Sequence, residues 1–279
     1  MVINTLKDKS VLVTGGTRGL GKAIGLEFAR VGAKVFLTHK WNSVRESDLV
    51  TEFLIQDLPP PYVIESDVSD PEAIRALMAA IKENVGSIDV VISNVSFAKI
   101  ISDIWDYKRS SFELSLQYST WPFVDLLQAA HAVTGLFPRY AISISSQAAD
   151  SYYNGYDFSG PSKAALESLC RYLALQLKSH GVRVNAIRPG FLDTKSSRAS
   201  CGEHVIDSLK ENGLLLDPQG AARVCVALCS GWMDAVTGQV IVADEGWSLV
   251  SPVAYLTGEG LPDEFPENTM VDSRIDNQS

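Results

Sequence analysis

The 279 residues carry 46% hydrophobic and 20% charged side chains, the balance of a soluble chain able to bury a sizeable core in one large α/β domain. A net charge of −9 and a pI near 5.0 exclude nucleic-acid binding by bulk electrostatics, but leave room for a phosphate in a local basic pocket. No basic start is followed by a long apolar run, and no stretch approaches the roughly 20 apolar residues of a membrane span. A cytoplasmic protein with no membrane partner is therefore expected.

In chain order, "SVLVTG", "KVFLTH", "YVIESD", "DVVISN", "YAISISS", "RVNAIRP" and "GQVIVAD" predict seven buried strands. Helical patterns lie between them, among them "LGKAIGLEFARVG", "DPEAIRALMAAIKENVG" and "PQGAARVCVALCS". Asp70-Pro71 and Asp217-Pro218 mark helix starts, and Gly32 and Gly86 mark helix ends. Strict alternation implies α/β architecture, a doubly wound parallel seven-stranded sheet with helices on both faces, in a single domain over residues 1–250. Residues 191–216 are polar and less regular after a strand end, as a mobile substrate lid would be. Residues 251–279 are acidic and contain proline, and are expected to form a tail rather than an interface arm. Cys170, Cys201, Cys225 and Cys229 read as buried thiols of a reducing compartment, and no metal site is expected from them.

The first strand runs into "TGGTRGLG", with glycines at 15, 19 and 21 at the mouth of a helix. There the chain can turn tightly and approach a pyrophosphate seated on the helix N-terminus. This loop, with Gly15, Thr17, Arg18, Gly19, Leu20 and Gly21, resembles the Thr-Gly-x-x-x-Gly-x-Gly motif of the short-chain dehydrogenase/reductase family. The resemblance covers residues 8–250 and implies a Rossmann fold with a nicotinamide cofactor. It places Asp67 and Val68 at the adenine. It also places Asn94, Pro189, Gly190, Leu192 and Thr194 around the cofactor, the last two at the carboxamide and phosphate. Two positions depart from the family: the fourth strand ends "SNVS", keeping only Asn94, and Gln117 stands where the family's relay asparagine is expected. An NAD site needs an acid at the end of the second strand. This strand ends instead in His39 and Lys40, and with Arg18 these make a cationic site for a 2′-phosphate, so NADPH/NADP+ is the expected cofactor.

The family's Tyr-x-x-x-Lys pair is altered. Lys163 is present, but Ser159 stands four residues before it, and the nearest upstream tyrosine is Tyr156. A tyrosine, six residues and then a lysine resembles the NADPH-using enoyl-acyl-carrier-protein reductase branch, which makes Tyr156 and Lys163 the acid and its partner and Ser146 a secondary contact. In that branch a second tyrosine stands four before the first, here Tyr152. Tyr152 and Tyr153 are equally readable as an aromatic pocket wall or as direct contacts, and Phe97, Ile100, Trp105, Phe191 and Leu192 make the expected pocket apolar. The leading expectation is reduction of an enone or enoyl thioester, small-molecule or acyl-carrier-linked. A ketoreductase of specialised metabolism and a non-catalytic nucleotide-binding protein are the alternatives. The resemblance also implies a homotetramer or homodimer, built on helices at residues 110–133 and 159–178.

Overall fold

The seven expected strands form one sheet in the computed structural model, which describes residues 4–40 and 45–250. They are β1 (Ser10–Val13), β2 (Lys34–His39), β3 (Tyr62–Glu65), β4 (Val90–Ser93), β5 (Tyr140–Ile144), β6 (Arg183–Pro189) and β7 (Val240–Ala243). All pairings are parallel, in the order β3-β2-β1-β4-β5-β6-β7. β1, β4 and β5 are buried throughout because helices cover both faces, whereas the edge strands β3 and β7 are partly exposed. The order reverses between β1 and β4, so the strands' C-terminal ends part there and leave the crevice in which such sheets bind ligands.

The helices are α1 (Gly19–Arg30), α2 (Glu46–Ile55), α3 (Pro71–Val85), α4 (Arg109–Ser119), α5 (Pro122–Thr134), α6 (Ser159–Gln176), α7 (Lys195–Cys201), α8 (Glu203–Glu211) and α9 (Pro218–Cys229). Ile24 and Phe28 of α1 and Cys225 of α9 pack one face of the sheet, and Ile74, Met78 and Leu126 from α3 and α5 pack the other. Each such fully buried Phe, Leu or Ile contributes about 1.5–3 kcal/mol. Asp70 and Asp217 cap α3 and α9 by accepting from Glu72 N and Gln219 N, both at 2.9 Å. Gly86 ends α3 at φ 82°, in the left-handed region.

Two expectations change here. The helix expected over 110–133 is two helices, because Pro122 cannot continue α4 and instead opens α5. The segment expected to be an irregular lid is largely helical, as α7 and α8. Thr194 and Ser197 start α7 with a reciprocal capping box, and Arg198 ties Asp193, Glu203 and Asp207 together. The main compact unit ends at Glu245, and a short 3-10 turn follows at Trp247–Leu249. The acidic segment 251–279 lies outside the described residues. Among the described residues no helix is long and apolar enough to cross a membrane.

Candidate functional site

The glycine loop fixes one wall of a cleft of about 810 Å³ at the sheet's C-terminal edge. Gly15 and Gly19 have φ of 60° and 53°, which only glycine adopts without strain, and a Cβ on Gly21 would stand 2.4 Å from Gly15 O. Asn94 clamps the loop from β4, its Nδ2 donating to Thr14 O at 3.0 Å and Gly15 O at 3.3 Å. Gly15 N donates to Thr38 Oγ1 at 3.2 Å, which ties the loop to β2. Arg18 stands at the N-cap of α1 without a side-chain cap bond, so the first-turn amides face the cleft uncapped. Thr194 approaches from the far side, 3.3 Å from where a Gly19 Cβ would be, and Thr17 is buried beneath the loop. Uncapped helix amides, a backbone free of side chains and the 810 Å³ opening fit a dinucleotide.

At the C-terminal ends of β2 and β3 the structure corrects part of the expectation. Lys40 is not a free cation: its Nζ pairs with Asp67 and donates to Tyr118 Oη at 2.7 Å. Burial alone would raise the Asp67 carboxyl, but the bonds from Lys40 and Ser69 hold it below the usual carboxylate range. Val68 is buried. Arg18 is exposed and lines the cleft, while His39 Nδ1 is buried with no hydrogen-bond partner among the described residues. Of the three expected phosphate contacts, Arg18 and His39 are the two not engaged in an ion pair with Asp67.

At the other end β5 delivers Ser145 and Ser146, and α6 delivers Lys163. Ser146 Oγ accepts from Ala148 N at 3.2 Å, which leaves its own proton free. Lys163 is buried and its Nζ donates to Ile144 O at 2.7 Å, with burial pushing its pKa down to about 8. Tyr156 stands just before α6, its carbonyl accepting from Gly160 N at 2.8 Å and its Oη 3.4 Å from Cys201 Sγ. Burial first, then the Cys201 contact, pushes its phenol above the ordinary range. Among the described residues Tyr156 and Lys163 do not hydrogen-bond each other, and both line the cleft. Ser159 also lines it, 5% exposed, with Oγ buried and unpartnered among the described residues.

Pro189, Gly190, Phe191, Leu192 and Thr194 descend from β6 along the cleft, and Leu20 and Phe97 close it. Tyr153 lies inside, its ring centroid 5.8 Å from Phe191 and 6.2 Å from Tyr156. Tyr152 is turned away: it is 81% exposed, its Oη donates to Asn154 Oδ1 at 3.4 Å, and it does not line the cleft. Ile100 and Trp105 are likewise exposed and do not line it. Gln117 donates to Ser69 O at 3.3 Å, facing the β3–α3 loop, so it does not occupy the relay position expected of it.

Sequence reasoning missed three contributors. Cys201 was expected to be buried but reaches the cleft because α7 folds over Tyr156. Gln147 joins Tyr153 to the buried Asp244, and its place next to Ser146 was the available signal. Glu167, one helical turn beyond Lys163, accepts from Nε and Nη2 of Arg188 at 2.6 Å and from Ser145 Oγ at 2.6 Å. Its i,i+4 spacing from Lys163 was visible, but its partner on β6 was not.

A parallel seven-stranded Rossmann sheet with a glycine-loop cleft, a buried lysine and adjacent tyrosines defines a nicotinamide-dependent oxidoreductase. Residues 15–248 match the family described as Enoyl-(Acyl carrier protein) reductase, and the chain belongs to this family of short-chain dehydrogenases/reductases. It is 28% identical over 257 residues to the Enoyl-[acyl-carrier-protein] reductase [NADH] FabI of Aquifex aeolicus (strain VF5), covering 88% of this chain and 93% of that protein. The crystal structure of the Aquifex aeolicus enzyme superposes with a TM-score of 0.76 at 25% identity, over 88% and 99% of the two chains. The short-chain dehydrogenase/reductase FrzI of Cladobotryum sp is 30% identical over 258 residues, 87% of this chain and 96% of that one. The 1-cyclohexenylcarbonyl-CoA reductase of Streptomyces collinus is 28% identical over 270 residues, 94% of both.

Proposed function

We propose that the protein reduces the carbon–carbon double bond of an enone or enoyl thioester with NADPH. The observation that carries this is the placement of Tyr156 and Lys163 in one cleft while the position four before the lysine holds an aliphatic hydroxyl. When bound, the nicotinamide supplies a hydride to the substrate. In ketone reduction that hydride lands on the carbon bearing the oxygen, so the acid stands beside the donor. In enone reduction it lands on the β-carbon while negative charge grows on an oxygen two bonds further away. An acid moved away from the position beside the hydride donor suits the second reaction. Tyr156 stands before α6 rather than in its first turn, so its offset from the position four before the lysine comes from the turn at residues 156–158 and not from helical rise.

Each residue then has a task. The Tyr156 phenol donates to the enolate oxygen, a bond stronger in the transition state than in the ground state. Burial of this phenol keeps it protonated until charge develops on the substrate. Lys163 holds the nicotinamide ribose hydroxyls with the donors not spent on Ile144 O. Ser146 offers its free proton to the same substrate oxygen in a secondary role. The glycine-loop amides take the pyrophosphate, and Arg18 with His39 takes the 2′-phosphate in the absence of an acid at the end of β2.

The experiment is a panel of enoyl and ketoacyl thioesters, with NADPH and NADH oxidation followed separately. Turnover of the enoyl members with NADPH supports the reading. Turnover of ketones alone transfers the site to the ketoreductase reading, and equal use of both cofactors removes the NADPH assignment.

A further inference from the structure

The cleft holds a second phenol whose proton is already committed. Tyr153 Oη lies 3.0 Å from Gln147 Oε1, and Gln147 Nε2 lies 2.8 Å from Asp244 Oδ2. The direction of this chain follows from the chemistry of its buried end. A carboxylate only accepts, so the Gln147 amide must turn its N–H toward Asp244. Its carbonyl then faces Tyr153, and an amide carbonyl cannot donate, so the phenol must. Asp244 is 3% exposed at the end of β7, and Gln147 lies in the turn after β5, so the chain is anchored on two strands of the sheet. What Tyr153 has left to show the cleft is its oxygen lone pairs.

We propose that Tyr153 is a specificity-determining residue that reads a hydrogen-bond donor, an O–H or N–H, close to the carbonyl held by Tyr156. This rests on the enone reading above. The two ring centroids are 6.2 Å apart in one cleft, within the span of a single ligand, which would then meet opposite polarities, Tyr156 donating and Tyr153 accepting. The Phe191 ring, 5.8 Å away, supplies an apolar wall beside Tyr153, against which a ligand acceptor facing its lone pairs is left unpaired. Two sources carry a donor at such a distance: a hydroxyl on the acyl part, or the first amide N–H of a thiol carrier arm.

Two matched substrate pairs separate these sources. One pair is an enoyl N-acetylcysteamine thioester bearing a γ-hydroxyl against its γ-methoxy counterpart. The other is the unsubstituted enoyl thioester against the same compound with its amide N-methylated. The wild type should prefer the donor member of one pair by about tenfold in kcat/KM, the scale of one well-placed hydrogen bond, and that pair names the source. Tyr153→Phe should bring the ratio to about one. Asp244→Asn allows the Gln147 amide to flip and the Tyr153 proton to turn into the cleft, so the preference should shrink or reverse. Gln147→Leu frees the same proton and serves if the Asp244 variant does not fold. No preference in either pair, or a ratio that survives Tyr153→Phe, overturns the proposal. If none of the four compounds is turned over, the enone reading fails on its own. The same ratios are then read from dissociation constants measured with NADP+ present, where loss of the preference in Tyr153→Phe supports the proposal and its absence overturns it.

Discussion

Ser159 and Lys163 lie one helical turn apart on α6, and both are buried residues. Removing the unpartnered Ser159 hydroxyl costs no hydrogen bond, so Ser159→Ala should leave turnover nearly unchanged and stability level or slightly higher. If Tyr156 is the acid as proposed, Tyr156→Phe should lower kcat by about 10²–10³ with cofactor binding nearly intact, while Lys163→Ala should weaken both. Steady-state kinetics beside cofactor titration separates these outcomes. Lys163 also links stability to pH. Its folded pKa, lowered by burial to about 8, lies below the ordinary 10.5, so the charged form is penalised in the fold. Below about pH 8 both states are protonated and the penalty is full. Between 8 and 10.5 the unfolded state binds more protons and stability rises with pH. Lys163→Met should therefore be more stable at pH 7 by on the order of 2 kcal/mol, after the lost Ile144 bond is subtracted. That advantage should vanish by pH 10.5, as followed by thermal melts in the absence of cofactor. On the proposed reading, in which the Arg18 guanidinium meets the 2′-phosphate, Arg18→Ala should erode a preference for NADPH over NADH while changing NADH use little. That these side chains share one cleft was legible in the sequence, because the glycine loop and the segment around Lys163 both follow strand ends. The turn-out of Tyr152 was not, because two adjacent tyrosines in a turn carry no periodicity to say which faces inward.

Among the elements, β5, β6 and α6 are locked together by Glu167, Arg188 and Ser145 directly behind the cleft. The Glu167 and Arg188 side chains are 6% and 14% exposed, so removing one partner strands a charge away from water. Asp150 still pairs with Arg188 and limits the loss. Glu167→Ala should lower stability by about 3 kcal/mol, measured by urea denaturation, and should loosen the β5 end that carries Ser145 and Ser146. The Arg198 clamp on Asp193, Glu203 and Asp207 holds α7 and α8 from the solvent side, where screening weakens it. The strands and the helix starts at Pro71 and Pro218 were readable because apolar runs and Asp-Pro caps are local signals. The Glu167–Arg188 pair joins residues 21 apart across two layers, and neither residue type nor spacing announces a partner on another element. The lid looked irregular for a related reason: its helices are short and polar, held by a capping box and an arginine more than by an apolar stripe.

At the scale of the whole molecule, charge and exposed apolar surface point in different directions. A chain at −9 repels its own copies at long range, yet α6 presents Tyr172 and Leu175 at 69% and 72% exposure, and Trp121 at the α4–α5 break is 54% exposed. Tyr172 and Leu175 lie on the side of α6 opposite the Leu166, Cys170 and Ala174 stripe that packs on the sheet, so the fold itself does not use them. Large apolar side chains left outward on one long helix suit a self-complementary two-fold contact, in which α6 meets α6 of a second copy. We therefore expect a homotetramer, or at least a homodimer. Such an interface would also brace Lys163, because it presses on the outer face of the helix that carries this residue. Sedimentation equilibrium at micromolar concentration should give a mass at least twice that of the 30.3 kDa chain. Raising the salt should not dissociate the assembly, since screening relieves the repulsion and leaves the apolar contact. Leu175→Glu with Tyr172→Glu places four like charges across a two-fold axis and should shift the mass toward the monomer. A wild-type mass at the monomer value would overturn the expectation, and a double variant that stays assembled would move the interface off α6.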